Sequence, residues 1–177
     1  FMAEIESVIR PYLERKGVRV LGIIPRDPLM GSIRAHELAD GLGGCLVAAK
    51  GRADGMVENF LIGTMQVENF MIYFRRNPNA AVIVGGDRAD VQLVAIEGKC
   101  PCLVLTGNLF PNDIIISHAD SLNVPIVMVR QDTYTVAKKM ENLLTRHKMR
   151  DVMKIRQGMQ LVDSNLDFGI IREQLGV

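Results

Sequence analysis

The stretch from Ala80 to Asp90, AAVIVGGDRAD, confines the chain to a narrow set of folds. Its five leading apolar residues read as a buried strand. Gly85 and Gly86 break that strand, and the spacing predicts a helix beyond them through Val91, Leu93, Val94 and Ile96. Asp87 is the expected N-cap, with Asp90 in the first turn, where a carboxylate suits the helix dipole. A strand, a glycine turn and a helix in that order leave N–H groups at a corner suited to an anion.

The same unit recurs along the chain. Short apolar runs at Val18–Ile24, Cys45–Ala49, Phe60–Thr64, Cys102–Leu105 and Val124–Val129 read as further strands. Between them lie helical patterns. The first spans Met2–Lys16 and ends at Gly17, with Pro11 implying a kink or an early stop. Others are capped by Ser32, run over Val67–Arg76, start at Pro111-Asn112-Asp113, or follow Asp132. Pro125 points to an edge strand or to a strand's first residue. This alternation predicts an α/β fold, three layers of α/β/α around a mostly parallel sheet. In such sheets ligands bind beyond the carboxyl ends of the strands.

Composition removes several function classes. With 177 residues the chain suits one domain with appendages, and its net charge of +1 gives no pull toward nucleic acid or an anionic membrane. No apolar run approaches the roughly 20 residues of a membrane span, and no signal peptide is recognisable at the start. Three cysteines form no disulfide framework; Cys100 and Cys102 flank Pro101 too closely for a relaxed bridge. They read as buried or strand-face thiols in a reducing cytoplasm. His36, His118 and His147 lie in unrelated segments and read as ordinary helix residues. No phosphate loop, nucleophile elbow or metal-ligand pattern is present, so no catalytic, cofactor or metal residue is assigned. Arg146, Lys148, Arg150, Lys154 and Arg156 read as a solvated helix face, and Gln160–Val177 as a terminal helix that docks or packs on a partner.

The candidate ligand rim follows from the strand ends: Thr64 with Glu68, Gly85-Gly86-Asp87-Arg88, Thr106-Gly107, and Asp132-Thr133. Two readings of Asp87 and Arg88 compete. In one, the Gly85 and Gly86 amides and the Arg88 guanidinium surround a phosphate, with Asp87 orienting Arg88 or a ribose hydroxyl. In the other, Asp87 caps the helix and Arg88 makes a surface or interface salt bridge. Thr106-Gly107 is a tight turn under either reading.

At these residues the chain resembles a DRTGG domain. The matching pieces are Val20-Leu21-Gly22-Ile23-Ile24-Pro25, Gly63-Thr64-Met65 with Glu68-Asn69, Gly86-Asp87-Arg88-Ala89-Asp90, Leu105-Thr106-Gly107, and Asp132-Thr133-Tyr134-Thr135. They fall in the family's order over about residues 18–145. Asn108 stands where the family usually has a second glycine, though Asn also tolerates positive φ.

The resemblance implies a fold similar to the N-terminal domain of HPr kinase/phosphorylase. DRTGG domains sit between a dethiobiotin-synthetase-like phosphate-loop domain and the catalytic domain of some phosphotransacetylases, and beside CBS domains in a class of pyrophosphatases. Their role there is regulation or assembly, without catalysis. Residues 1–25 resemble the end of the synthetase-like domain, which implies a longer protein with an upstream phosphate-loop domain. The expected organisation is an N-terminal helix and linker over 1–17, a DRTGG domain over 18–147 and a C-terminal helical extension over 148–177.

The expected function is a non-catalytic, homodimeric regulatory module binding a nucleotide or phosphorylated metabolite at the rim. The alternative is a purely structural dimerisation domain. A third reading makes Asp87 a base and Arg88 a phosphate clamp in a small phosphotransferase or hydrolase, without a nucleophile–base pair to support it.

Overall fold

Pro11 is absorbed inside the first helix by a local widening of the turn. Helix α1 (Met2–Glu4) passes into a π turn over Ile5–Ile9 and then into α2 (Arg10–Arg15). The Arg10 N–H donates to the Ile5 carbonyl, five residues back, which is how a π turn takes up an irregularity. Gly17, at φ +78°, ends the stretch. The apolar residues of this helix are exposed or half-buried, so the expected stripe covers no core.

The structure, a computed structural model, describes residues 2–145 and 151–176. The chain divides into two units, one over 31–148 and one assembled from 1–30 and 149–177. The expected strand over Val18–Ile24 does not form. Its backbone makes one isolated bridge, Gly22 with Leu166, and Val18 and Ile24 are exposed. An apolar run becomes a strand only where a sheet accepts it, and no sheet of the described residues does so here.

The central unit begins with β1 (Ile33–Arg34), so Ser32 does not cap the helix that follows, α3 (Ala35–Leu42). The Arg34 N–H instead donates to the Glu37 carboxylate at 3.3 Å. After β2 (Cys45–Ala48) comes β3 (Met56–Val57), which pairs antiparallel with β1. Four strand–helix units follow: β4 (Asn59–Ile62) with α4 (Val67–Arg75), β5 (Ala80–Gly85) with α5 (Ala89–Glu97), β6 (Leu103–Thr106) with α6 (Asp113–Leu122), and β7 (Ile126–Met128) with α7 (Thr133–Thr145).

The five-stranded sheet has the order β2-β7-β6-β5-β4, parallel from β4 to β7 and antiparallel where β2 joins β7. The α/β expectation is met. β7 is interior rather than at an edge, and Pro125 lies just ahead of its first residue, its carbonyl accepting from the Leu103 N–H at 2.9 Å.

Side chains alternate across the sheet. Ala81, Ile83, Val104 and Val127 meet α3 and α7 on one face, through Leu38, Leu42, Val136 and Met140. Val82, Val84, Leu103, Leu105 and Ile126 meet α4, α5 and α6 on the other, through Phe70, Phe74, Ile96 and Ile115. That alternation is the period of a strand buried on both faces. Each fully buried large side chain contributes roughly 1.5–3 kcal/mol relative to exposure.

In the terminal unit, α8 (Val152–Asn165) and α9 (Phe168–Leu175) fill the expected C-terminal helical segment as two helices. Gln157 Nε2 donates to Asp27 at 2.7 Å, and the Asp167 N–H to the Leu21 carbonyl at 2.9 Å. Within the basic stretch Arg156 is exposed, but Lys154 is buried rather than solvated. Arg146, His147, Lys148, Arg150 and Val177 lie outside the described residues.

Candidate functional site

The connections after β6 and β7 leave the sheet toward opposite faces. The chain turns from β6 to α6 on one side and from β7 to α7 on the other. Neighbouring parallel strands whose helices diverge open a crevice at their carboxyl ends, the usual place for a ligand in an open α/β sheet. Here β6 ends at Thr106 and α7 begins at Thr133.

Their hydroxyls meet at 2.9 Å, and the Thr106 hydroxyl also lies 3.5 Å from the Val84 carbonyl. Gly107 at φ +81° and Asn108 at φ +56° are both left-handed, so Asn108 supplies the turn that glycine would. The two N–H groups of this turn are engaged: Gly107 donates to the Gln131 carbonyl and Asn108 to the Val129 carbonyl, each at 3.0 Å. Asp132 caps α7 as expected, accepting from the Thr135 N–H at 3.0 Å and its hydroxyl at 2.7 Å. These two bonds hold the Asp132 carboxyl below the usual carboxylate range.

At the end of β5 the arrangement departs from the expected one. The Arg88 N–H donates to the Gly85 carbonyl at 3.1 Å, which closes a turn and delays the helix to Ala89. Arg88 therefore occupies the N-cap position, with φ −100° and ψ 65°, and no side chain caps the helix. Asp87 is exposed and folds back over Gly85, where a side chain in place of the glycine hydrogen would strike its carboxylate. The Gly86 N–H donates to the Thr106 carbonyl at 3.3 Å, so it is already engaged rather than turned to an anion.

Arg88 pairs with Asp90 rather than with Asp87. Its Nε and Nη2 reach the two Asp90 oxygens at 3.0 Å each, and Nη2 also reaches the Met65 carbonyl at 3.2 Å. The guanidinium thus ties the β5–α5 turn to the loop after β4. The hydrogen bond from Arg88 lowers the Asp90 pKa, and Asp90 raises that of Arg88 in return. Nη1 has no partner among the described residues. Thr64 and Glu68, both exposed, lie at the carboxyl end of β4 and in the first turn of α4.

The structure therefore brings the expected rim residues to the carboxyl end of the sheet, with the Gly86, Arg88 and Gly107 N–H groups engaged inside the protein. Sequence reasoning missed two groups there. Gln92 is 1% exposed; its Nε2 donates to the Gly85 carbonyl at 3.1 Å while its Oε1 is buried without a hydrogen-bond partner among the described residues. Its signal was a lone amide in the apolar run Val91–Val94, one turn beyond Arg88. The second is the exposed Phe110 on the β6–α6 loop. Among the described residues no cluster of three or more His, Cys, Asp or Glu side chains could hold a metal, and no helix is long and apolar enough to cross a membrane.

The sequence pattern of the DRTGG domain matches residues 37–143, more than half of the chain. The chain belongs to the DRTGG domain family. This DRTGG domain is similar to part of the phosphate acetyltransferase of Nitratidesulfovibrio vulgaris (24% identical over 155 residues, 82% of this chain and 22% of that protein). It is similar in the same way to the phosphate acetyltransferase of Synechocystis sp., at 24% identity over 176 residues, 93% of this chain and 25% of that protein. The chain thus spans about a quarter of the length of these relatives.

Among solved structures, its fold is similar to the CBS and DRTGG domains of the regulatory region of Clostridium perfringens pyrophosphatase, in complex with the activator diadenosine tetraphosphate. The TM-score is 0.53 at 20% identity, over 76% of this chain and 55% of that one.

Proposed function

We propose that this DRTGG domain is a non-catalytic regulatory and assembly module, homodimeric and cytoplasmic, whose strand-end rim binds a nucleotide or another phosphorylated metabolite. One observation carries the reading. The matched motifs at Thr64, Arg88, Thr106 and Thr133 all follow the carboxyl ends of parallel strands, at the end of the sheet where the helices after β6 and β7 diverge. The Clostridium perfringens relative supports it, since there a DRTGG domain belongs to a regulatory region crystallised with a dinucleotide activator. The length of the matched phosphate acetyltransferases supports placement beside other domains; that one of them is an upstream phosphate-loop domain rests on the resemblance of residues 1–25 alone. Arg88 would meet the ligand with Nη1, while Asp90 and Met65 hold its other nitrogens.

A second reading, a purely structural dimerisation domain, is favoured by the engagement of the Gly86, Gly107 and Asn108 N–H groups within the fold. A thermal-shift screen separates the two. Adenine and guanine nucleotides, acetyl phosphate, coenzyme A and pyrophosphate are each titrated against the wild-type protein and Arg88→Ala. The regulatory reading expects a rise in Tm with at least one ligand that is lost in Arg88→Ala. No rise with any of them leaves the structural reading.

A further inference from the structure

We propose that the groove between α4 and α5 is the face on which two copies of this chain associate, which rests on the homodimeric reading above and supplies its surface. The groove holds about 400 Å³ and is floored by Met71, Phe74, Leu93 and Val94. It runs past Pro78 and Gly98, ahead of β5 and β6, so it lies at the opposite end of the sheet from the ligand rim. Leu93 in its floor is 38% exposed, and Ile72, on the same helix as Arg75, is 52% exposed.

Charge identifies the occupant. Arg75 stands on the α4 wall and Glu97 on the α5 wall of the same groove. Arg75 has no ion-pair partner among the described residues. Glu97 meets His118 through Oε1 at 2.8 Å, which leaves Oε2 for another cation. A two-fold axis across the groove sets each Arg75 against the Glu97 of the other copy, so one surface generates two equal ion pairs around an apolar centre. That self-complementarity is what an isologous interface requires. A net charge of +1 offers little general repulsion to oppose it.

Sedimentation velocity on the full chain at micromolar concentrations tests this. The wild type is expected to be a dimer, Arg75→Glu and Glu97→Arg to weaken the dimer by tenfold or more, and the double swap to restore it. Leu93→Arg, which puts a charge into the groove by a different route, is expected to give monomers as well. Far-UV circular dichroism confirms that each variant keeps its fold. A wild-type dimer that persists unchanged in both single swaps and in Leu93→Arg overturns this surface and leaves the homodimeric reading intact. A monomeric wild type overturns both.

Discussion

Arg88 and Asp90 lock together across a single intervening residue, with guanidinium Nε and Nη2 each 3.0 Å from a different carboxylate oxygen. Because Nη2 also reaches the Met65 carbonyl, Asp90 fixes a side chain that joins two loops of the rim. The Asp90 carboxyl is held below its ordinary range, first by that hydrogen bond. A carboxylate depressed in the folded state adds stability above its unfolded pKa, about 4, and loses it as the pH falls through the folded value. Asp90→Asn is therefore expected to melt below the wild type at pH 7, with the gap closing as the pH drops under the carboxylate range. Parallel melts by circular dichroism check this, and a gap that stays constant down to pH 2 would count against it. In ligand titrations the same variant should weaken binding, because Arg88 is no longer held in place.

The hydroxyls of Thr106 and Thr133 form the bond that spans the β6 and β7 ends. Thr106 is 3% exposed, so Thr133→Val leaves its hydroxyl without that bond in a protected place, and Thr106→Val leaves the half-buried Thr133 hydroxyl without its partner. Each single variant is expected to lose about 1–2 kcal/mol in urea unfolding. The double valine variant should lose less than the sum, since removing both partners leaves no orphaned group. Strict additivity would show that the two hydroxyls are not coupled.

The parts of this fold legible in the sequence were those set by short-range chemistry. The run Ala80–Val84 is apolar at every position and forms an interior strand, and Asp132 caps its helix because no nearer group competes for the Thr135 N–H. Asp87 had the same apparent role and lost it. The bond between Arg88 and the Gly85 carbonyl shifts the helix start past the reach of that carboxylate. Spacing alone also could not tell which of two acids Arg88 would take. Val18–Ile24 has the composition of a strand, but pairing is a property of the sheet, and among the described residues this run forms a single isolated bridge, at Gly22. The rim was legible as a set of glycine and threonine turns. The bond between Thr106 and Thr133 was not, because it depends on which face each following helix takes.

Gly86 is constrained by its neighbour rather than by its dihedral angles. A Cβ at this position would run into the carbonyl oxygen and Cβ of Leu109, on the loop after β6. Backbone cannot step aside as the end of a flexible side chain can, so Gly86→Ala should force that loop outward. The expected cost is about 1–3 kcal/mol, the usual range for overpacking. Urea unfolding measures it. Gly51→Ala is the control, since its Cβ would meet nothing within 4 Å. Equal stability of the two variants would refute the close approach of the β5 and β6 loops.

The three cysteines should separate cleanly by reactivity. Cys45 is exposed on β2, whereas Cys100 and Cys102 are buried beside β6. Burial pushes the Cys102 thiol up to about 12, and the Cys100 thiol higher again, with the neighbouring Cys102 adding to the effect. Only the thiolate attacks a disulfide reagent, so neither sulfur is reactive near neutral pH while the fold keeps it buried. A native sample at pH 8 with a chromogenic disulfide is expected to release one equivalent quickly and the other two at the rate of unfolding. Cys45→Ser should abolish the fast phase and leave the slow one. Guanidinium should collapse all three into a single fast phase, because unfolding exposes every cysteine and returns the Cys100 and Cys102 thiols to the ordinary value, about 8.5. A second fast equivalent in the folded protein would mean that the edge of the sheet near Cys100 opens far more readily than its burial implies.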